Sequence, residues 1–276
     1  MELTHSSTFL LLIIMLFENS IVGPIHSRRL GNSLGVNLLP LKHKHCSYDC
    51  IYCECGWNKE TEHQEMVYAT PDEMRSLLER RLQQLRNEGK PVDSLTFAGN
   101  GEPTLYPEFP AMVDLVCEMR DRYYPNAATT LLTNATQLTR PEIFSAIRKL
   151  DNPILKLDSG TERMRQLINR NREIGNHPEG CSWDDLISSL IQFGSQGIIQ
   201  TLLFDGTCDG EIVSNIIPSE FEPYTKILQK IQPRYVMLYA LDRATPEKAL
   251  RKLPASELEH YAEIIRNKGI EVKIYG

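Results

Sequence analysis

The sequence predicts an α/β fold, a partial (β/α)6 TIM-like barrel with a cysteine-rich loop after its first strand. Short apolar runs rich in β-branched residues alternate with amphipathic segments that carry helix caps, which is the pattern of βα units. Six such units precede a final strand. Because a closed barrel of this type needs eight units, the chain predicts an open, curved sheet with functional loops at the carboxyl ends of its strands.

The predicted strands are short apolar runs bounded by polar, glycine or proline residues. They cover residues 35–39, 94–98, 129–132, 154–157, 198–204 and 235–241, with a final strand over 270–275.

Helix caps mark the segments between these strands. Thr70, Pro71 and Glu73 form a capping-box pattern with proline at the first helical position, and Gly89 is expected to end that helix. Three further boundaries are indicated: helix starts at Thr139 with Glu142 and at Ser182 with Asp185, and a stop at Gly269 after a helix over 256–268.

Polar residues follow each predicted strand where it ends, and these are the candidate site residues. They are Gly99, Asn100, Gly101, Glu102 and Pro103 after the second strand, Thr133 and Asn134 after the third, Asp158 and Ser159 after the fourth, Asp205 after the fifth, and Asp242 and Arg243 after the sixth. Lys156 shares a strand face with Asp158, and a lysine inside a barrel needs a reason. Lys156 and Arg243 are the predicted catalytic residues on the substrate side, and Arg28 and Arg29 are further substrate-side candidates.

The cysteine-rich loop follows the first strand. Cys46, Cys50 and Cys53 stand in a C-x3-C-x2-C pattern, which predicts a metal centre. In a four-iron cluster held by three cysteines, one iron has no protein thiolate and can bind a small molecule, so this spacing favours a catalytic centre over an electron carrier.

A structural zinc site and a disulfide framework are the two alternatives for these cysteines. A structural zinc site usually draws two ligand pairs from separate hairpins, and here no second pair exists, although His43, His45 or Cys55 could supply a fourth ligand. A disulfide framework fits poorly because the seven cysteines are odd in number and four lie within ten residues. Reduced thiols predict a cytoplasmic protein.

Composition indicates one compact domain without a membrane partner. The chain has 276 residues, 41% hydrophobic, with a net charge of -6 and a mean hydropathy of -0.31. Its one long apolar run, residues 9–17, is shorter than the roughly 20 residues of a membrane span, and no basic residue precedes it as in a signal peptide. We expect Met15 to be the natural start, residues 1–14 to be an N-terminal extension, and 15–276 to form a single domain.

A basic stretch leads into the cysteine loop. From residue 23 to residue 45 the chain carries Arg28, Arg29, Lys42 and Lys44 and no acidic residue. Besides a solvated basic edge, three functional roles remain open: binding an anionic substrate, docking an acidic electron donor, and compensating the charge of a cluster.

The cysteine triad together with the Gly-Glu-Pro segment resembles the radical S-adenosylmethionine (SAM) enzymes. The resemblance implies that Cys46, Cys50 and Cys53 hold a [4Fe-4S] cluster whose open iron binds SAM. It implies that Tyr52 lies near the adenine and that residues 99–102 receive the methionine ammonium, since glycines let backbone carbonyls approach a ligand. It further suggests Asn134 and Asp158 for the SAM ribose, and an acidic electron donor such as flavodoxin or ferredoxin.

Within that superfamily, segments between residues 23 and 158 are similar to the wyosine-base (tRNA imidazoguanosine) synthases. Those enzymes carry a second iron–sulfur cluster whose cysteines precede the triad, and no cysteine precedes Cys46 here. The resemblance implies radical SAM chemistry and suggests a nucleobase in transfer RNA as one possible substrate. Two alternatives stay open: an enzyme acting on a peptide, a protein glycyl site or a small metabolite, and a non-catalytic metal-binding interaction protein.

Overall fold

A computed structural model of the chain describes residues 16–58, 66–171, 180–243 and 245–275. In this part of the chain eight strands form one curled sheet in the order β1-β2-β3-β4-β5-β6-β9-β11. The strands are β1 Ile21–Ser27, β2 Gly31–Val36, β3 Ser94–Phe97, β4 Ala128–Thr133, β5 Asn152–Lys156, β6 Ile198–Leu202, β7 Phe204–Cys208, β8 Glu211–Ile212, β9 Val236–Tyr239, β10 Leu250–Lys252 and β11 Val272–Tyr275.

The helices lie between consecutive strands of this sheet, as βα units require. They are α1 Pro71–Asn87, α2 Phe109–Tyr123, α3 Pro141–Ile147, α4 Glu162–Asn169, α5 Trp183–Phe193, α6 Pro218–Ile231 and α7 Ala255–Arg266, with 3-10 turns at Pro103–Leu105 and Gly194–Gln196. Strands β2 to β11 of the large sheet pair in parallel, whereas β1 pairs with β2 antiparallel. The predicted α/β partial barrel is confirmed, with β1 as an added edge strand.

Alternating strand residues divide the core into two layers. Leu155, for example, packs into the large outer cluster between sheet and helices. Its neighbour Ile154 faces inward and packs with Ile198 and Met237 in a small cluster on the concave side. The concave side of the sheet, called the lumen below, is therefore partly filled by apolar side chains at this level.

The capping predictions are confirmed at two helices and wrong at one. Thr70 and Glu73 form the expected capping box of α1, and Ser182 caps α5. Helix α3 is instead preceded by Arg140 as N-cap, without a side-chain cap, rather than by Thr139. The reason is Pro141, which occupies the first helical position and so sets the start one residue later.

The predicted strand over 198–204 was wrong at its end. Leu203 donates its backbone N–H to Tyr239 O at 2.9 Å, but the Phe204 N–H turns to Asn215 Oδ1 at 3.0 Å. The chain then leaves the large sheet as β7 and pairs with β10 and β8. Asp205 therefore lies on β7, where it pairs with Arg251, and not at a strand end facing the site.

Three further expectations concern membrane spans, disulfides and the N-terminal extension. None of the helices in the described ranges is long and apolar enough to cross a membrane. All seven cysteines are free. The expected start at Met15 and the extension 1–14 lie outside the described residues.

Candidate active site

The cysteine loop, residues 46–53, is tied on one side to the glycine-rich segment after β3. The backbone N–H of His45 donates to Asn100 O at 2.8 Å, and that of Glu102 donates to His45 O at 3.0 Å. Gly101 lies between these bonds with φ of 142°, and a Cβ there would stand 1.8 Å from His45 O. Only glycine permits this approach, so the glycine-rich segment holds the loop against the end of β3.

The other side of the loop is tied to the end of α4. Ile51 donates its backbone N–H to Ile168 O at 2.9 Å. The side-chain amide of Asn169 donates to Cys50 Sγ at 3.3 Å and to the Tyr52 hydroxyl at 2.8 Å. Helix α4 therefore fixes both the backbone of the loop and one of its sulfur atoms.

A buried lysine faces the thiols of the loop. The side chain of Lys44 is 2% exposed, and its Nζ donates to Gly56 O at 2.9 Å. Burial alone would lower the pKa of Lys44, but the negative charges of Cys53, Cys46 and Cys50 outweigh burial and raise it. Lys44 also pairs with Asp49 Oδ1 at 3.2 Å. It places a positive charge beside the three sulfurs, and this position is compatible with the charge-compensating role, one of the three roles expected for the basic stretch.

Cys53 and Cys55 share a hydrogen bond. This bond is the largest influence on Cys53 and lowers the pKa of its thiol to about 6, whereas the same bond and burial raise the pKa of Cys55. Cys55 Sγ also lies 3.7 Å from Gly99 O. Cys53 thus carries the thiolate of this pair, and Cys55 is its hydrogen-bond donor.

The flanking histidines, His43 and His45, contact residues other than the cysteines. Nε2 of His43 lies 3.1 Å from Met66 Sδ, and the ring of His45 packs edge-on against Tyr68. Among the residues that the structure describes, no three His, Cys, Asp or Glu side chains converge as ligands of a single ion would. The cysteines of a four-iron cluster bind different irons and need not converge on one point.

The donor set fits a [4Fe-4S] cluster. Cys46, Cys50 and Cys53 supply three thiols from one loop, and the Lys44 ammonium and the Asn169 amide point donors toward them. A cluster with thiolate ligands is anionic, and hydrogen bonds and positive charge beside its sulfurs stabilise it.

Glu102 organises the end of the neighbouring strand. It is buried, which raises the pKa of its carboxyl group even though hydrogen bonds oppose this. It accepts hydrogen bonds from the Thr133 hydroxyl at 2.6 Å and the Asn134 N–H at 2.7 Å. Asn134 in turn donates to Ser47 Oγ at 2.9 Å and lies 3.7 Å from Cys46 Sγ. The strand ends of β3 and β4 are thereby joined to the cysteine loop.

A second polar group lies on the lumen side of β5 and β9. Lys156 Nζ donates to Asp158 Oδ1 at 2.9 Å and to the Tyr239 hydroxyl at 2.8 Å. Tyr52 donates its hydroxyl to Asp158 Oδ2, and Leu202 donates its backbone N–H to Asp158 Oδ1 at 2.8 Å. Burial is the largest influence on Tyr52 and raises its pKa, and the Asp158 charge adds to this. The Asp158 carboxylate, which is fully buried, therefore joins the cysteine loop to the barrel wall.

The structure thus brings together most of the predicted site residues, but not all of them. The three cysteines, Tyr52, the glycine-rich segment, Asn134, Lys156 and Asp158 form one connected region. Arg243 instead lies at the rim and pairs with Glu54 at 2.6 Å, both about half exposed. Asn100 uses its side-chain amide to hold Pro40 O at 2.9 Å and Phe17 O at 3.0 Å.

Three contributors were missed by reasoning from the sequence: Asn169, Tyr239 and the buried position of Lys44. Tyr239 stands two residues from Met237 in an apolar strand, and that alternation is a signal that could have placed it in the lumen. No sequence signal pointed to Asn169, because helix α4 was not predicted.

Comparison with known families agrees with this geometry. The family model of the Radical SAM superfamily matches residues 42–179, which include the triad, the glycine-rich segment and Asp158. A UPF0026 protein of Helicobacter pylori (strain J99) is 30% identical over 240 residues, covering 86% of this chain and 71% of that protein. A protein named GTPase Obg from Brachyspira hyodysenteriae is 31% identical over 92% of this chain, which spans only 35% of that protein's length.

Solved structures share the fold at low identity. A radical SAM methyltransferase from Sphaerobacter thermophilus superposes with a TM-score of 0.58 at 16% identity, covering 88% of this chain and 65% of that one. A structure of TYW1 with a lysine-pyruvate adduct bound gives a TM-score of 0.55 at 14% identity, covering 85% of this chain and 73% of that one.

Proposed function

The chain belongs to the radical SAM superfamily, and on that premise we propose that it reductively cleaves SAM and uses the resulting 5′-deoxyadenosyl radical to take a hydrogen atom from an organic substrate. The family implies a [4Fe-4S] cluster and SAM as cofactors. The observation that carries the proposal is the cysteine loop itself, which three neighbouring segments hold with its thiols beside the carboxyl ends of the strands.

The residues of the loop have distinct tasks in this proposal. Cys46, Cys50 and Cys53 would bind three irons, while the Lys44 ammonium offsets the negative charge of the sulfurs. Asn169 donates hydrogen bonds to both Cys50 Sγ and the Tyr52 hydroxyl, and Tyr52 in turn joins the loop to Asp158 of the barrel wall. Preorganisation of this kind limits the reorganisation that electron transfer and bond cleavage require.

The lumen residues separate the reactive centre from water and from stray hydrogen donors. Tyr52 and Asp158 are at least nine-tenths buried, and Lys156 closes the gap between them and Tyr239. Exclusion of solvent protects a reactive species from side reactions. We propose Lys156 as the substrate-side cation of this layer, with its charge held in place by Asp158.

The test is formation of 5′-deoxyadenosine from SAM by the anaerobically reconstituted, dithionite-reduced chain. We expect product from the wild type, and loss of both cluster iron and product in Cys46→Ala, Cys50→Ala and Cys53→Ala. Cys117→Ala is the matched control, because Cys117 is a half-buried thiol on α2 outside the site. Cys55→Ala is expected to keep the cluster, since in this proposal Cys55 donates a hydrogen bond to Cys53 and does not bind iron.

Two outcomes would contradict these assignments. A cluster that survives Cys53→Ala but disappears in Cys55→Ala would exchange the roles of the two thiols. A wild-type protein loaded with zinc in place of iron, and unable to bind SAM, would favour the metal-binding interaction protein instead.

A more specific proposal is that the substrate is a nucleobase in transfer RNA. It rests on the motif resemblance to the wyosine-base synthases. The basic stretch adds less support than its sequence suggests. Lys44 is buried, and Arg28 pairs with Asp242 at 2.7 Å. Binding of transfer RNA that weakens steeply with salt would support this substrate, because phosphate contacts release counterions.

Delivery of the electron by an acidic donor, such as flavodoxin or ferredoxin, likewise remains a proposal. Reduction of the cluster by flavodoxin that slows as ionic strength rises would support it, since opposite surface charges steer association.

A further inference from the structure

A cavity of about 150 Å³ lies in the lumen next to the Lys156 and Asp158 layer. Its walls come from strands β1 to β6 and from the β1–β2 turn. Leu30, Leu132 and Ile154 form its apolar walls. The Ser33 and Thr96 hydroxyls also line it, but they bond to each other at 2.8 Å. No Asp or Glu is among the described residues that line it.

Gln200 presents an unused donor to this cavity. It is 6% exposed, and its Nε2 has no hydrogen-bond partner among the described residues. Leaving a buried amide donor without a partner costs about 1–3 kcal/mol. Gln200 stands directly across from Lys156 in the β5–β6 register, so the donor lies beside the proposed catalytic layer.

Arg29 brings a positive charge to the same cavity. Its guanidinium stacks over the ring of Tyr239 at 5.1 Å, and it forms no salt bridge with a residue in the described ranges. Its neighbour Arg28 differs, since it points outward and pairs with Asp242. A half-buried guanidinium oriented by stacking but lacking a carboxylate is suited to bind an anionic ligand.

We propose that this cavity binds the carboxylate or phosphate group of a small organic anion, which is the substrate, or a part of the substrate, of the proposed radical reaction. Arg29 supplies the charge and Gln200 a hydrogen bond, while the ligand's carbon atoms contact the apolar walls. The role of this anion as a substrate rests on the proposed function. The size follows from the volume, because a cavity of about 150 Å³ accommodates a molecule of roughly benzene size.

The experiment is calorimetric titration of the full chain, reconstituted with cluster and SAM, using three probes of similar size. Lactate represents a carboxylate, methyl phosphate a phosphate, and lactamide is the neutral counterpart of lactate. We expect one of the two anions to bind and lactamide to bind at least about tenfold more weakly. Binding of lactate alone identifies a carboxylate, and binding of methyl phosphate alone identifies a phosphate.

Variants then locate the binding site. Arg29→Gln and Gln200→Leu are each expected to weaken binding of that anion by about tenfold or more, because each removes one hydrogen-bonding partner. Arg29→Lys keeps the charge but loses the stacked guanidinium, so it is expected to bind more tightly than Arg29→Gln and more weakly than the wild type. Thermal unfolding of each variant identifies one that merely fails to fold. Arg28→Gln is the adjacent control: Arg28 was expected on the substrate side, but it pairs with Asp242 outside the cavity, so this variant is expected to bind like the wild type.

Three results would overturn the inference: no binding of either anion up to about 10 mM, equal binding of lactamide, or equal losses in Arg28→Gln and Arg29→Gln. Failure of the proposed function has a different signature. A wild-type protein that makes 5′-deoxyadenosine yet binds neither anion contradicts the cavity alone, whereas absence of 5′-deoxyadenosine together with Arg29-dependent anion binding contradicts the radical chemistry alone.

Discussion

The upper and lower parts of the lumen differ in whether their polar side chains have partners within the protein. In the upper lumen, formed by Tyr52, Lys156, Asp158 and Tyr239, the Lys156 charge is paired and both tyrosine hydroxyls are hydrogen-bonded. In the lower lumen, the cavity described above, Gln200 Nε2 lacks a partner and Arg29 lacks a carboxylate among the described residues. Paired groups fix the geometry of a site, whereas a buried unpaired donor can take its acceptor from a bound ligand or a water molecule.

The difference arises between residues that are neighbours in the sheet. Lys156 and Gln200 are partners in the β5–β6 register and face the same side. Lys156 finds its acceptor in Asp158, two residues further along its own strand direction, but the equivalent position after Gln200 is Leu202, which offers no side-chain acceptor. One residue type at one position thus decides whether a lumen donor is satisfied by the protein.

The largest expected effect is at the Asp158 carboxylate. Asp158→Asn leaves the mostly buried Lys156 charge without a counter-charge and should lower the free energy of unfolding by up to about 3–5 kcal/mol. The matched control is Asp205→Asn, at an exposed ion pair with Arg251, where we expect less than about 1 kcal/mol. Urea unfolding of both variants in the same metal state measures this. Equal losses would abolish the distinction between the upper lumen and the surface.

An intermediate effect is expected in the alkaline pH dependence. Although burial opposes it, the Asp158 charge raises the pKa of Lys156 above its unfolded value near 10.4. The folded state then keeps the Lys156 proton to a higher pH than the unfolded state does. The contribution of the Lys156–Asp158 pair to the free energy of unfolding is therefore complete below about pH 10 and declines as pH rises above about 10.5.

The free energy of unfolding of the wild type minus that of Lys156→Met isolates this contribution. We expect the difference to be constant from pH 7 to 9 and to fall above pH 10.5 by up to about 1.4 kcal/mol per pH unit. A difference that rises from pH 7 to about pH 10 and then levels off would show that the lysine is neutral in the folded protein.

The smallest effect is expected in the lower lumen. Gln200→Leu replaces an unpaired amide by an apolar group of similar size and should leave stability unchanged or raise it by about 1 kcal/mol. Thermal unfolding without added anions measures the change. Loss of more than about 1 kcal/mol would mean that the Gln200 amide is already satisfied in the protein, and the contrast between the two parts of the lumen would disappear.

Much of the architecture could be predicted because it depends on local signals. The capping box at Thr70 and Glu73 and the alternation of apolar strands with helices were confirmed in the structure. The break after Leu202 was missed because a continuous apolar run does not show where a strand changes sheets. Antiparallel β1 was missed as well, since its sequence, IVGPIHS, contains glycine and proline inside the strand.

The sequence by itself determined the partial barrel, the cysteine triad and its glycine-rich partner segment, because each depends on residue type and spacing along the chain. Tertiary structure alone decided how the polar residues are used. Folding brings Asn169 to Cys50, Lys44 to the thiols, and Asp158 to Tyr52 across 106 residues of chain. Whether a buried donor is satisfied depends on which acceptors come within hydrogen-bonding distance in three dimensions, and that separates Lys156 from Gln200.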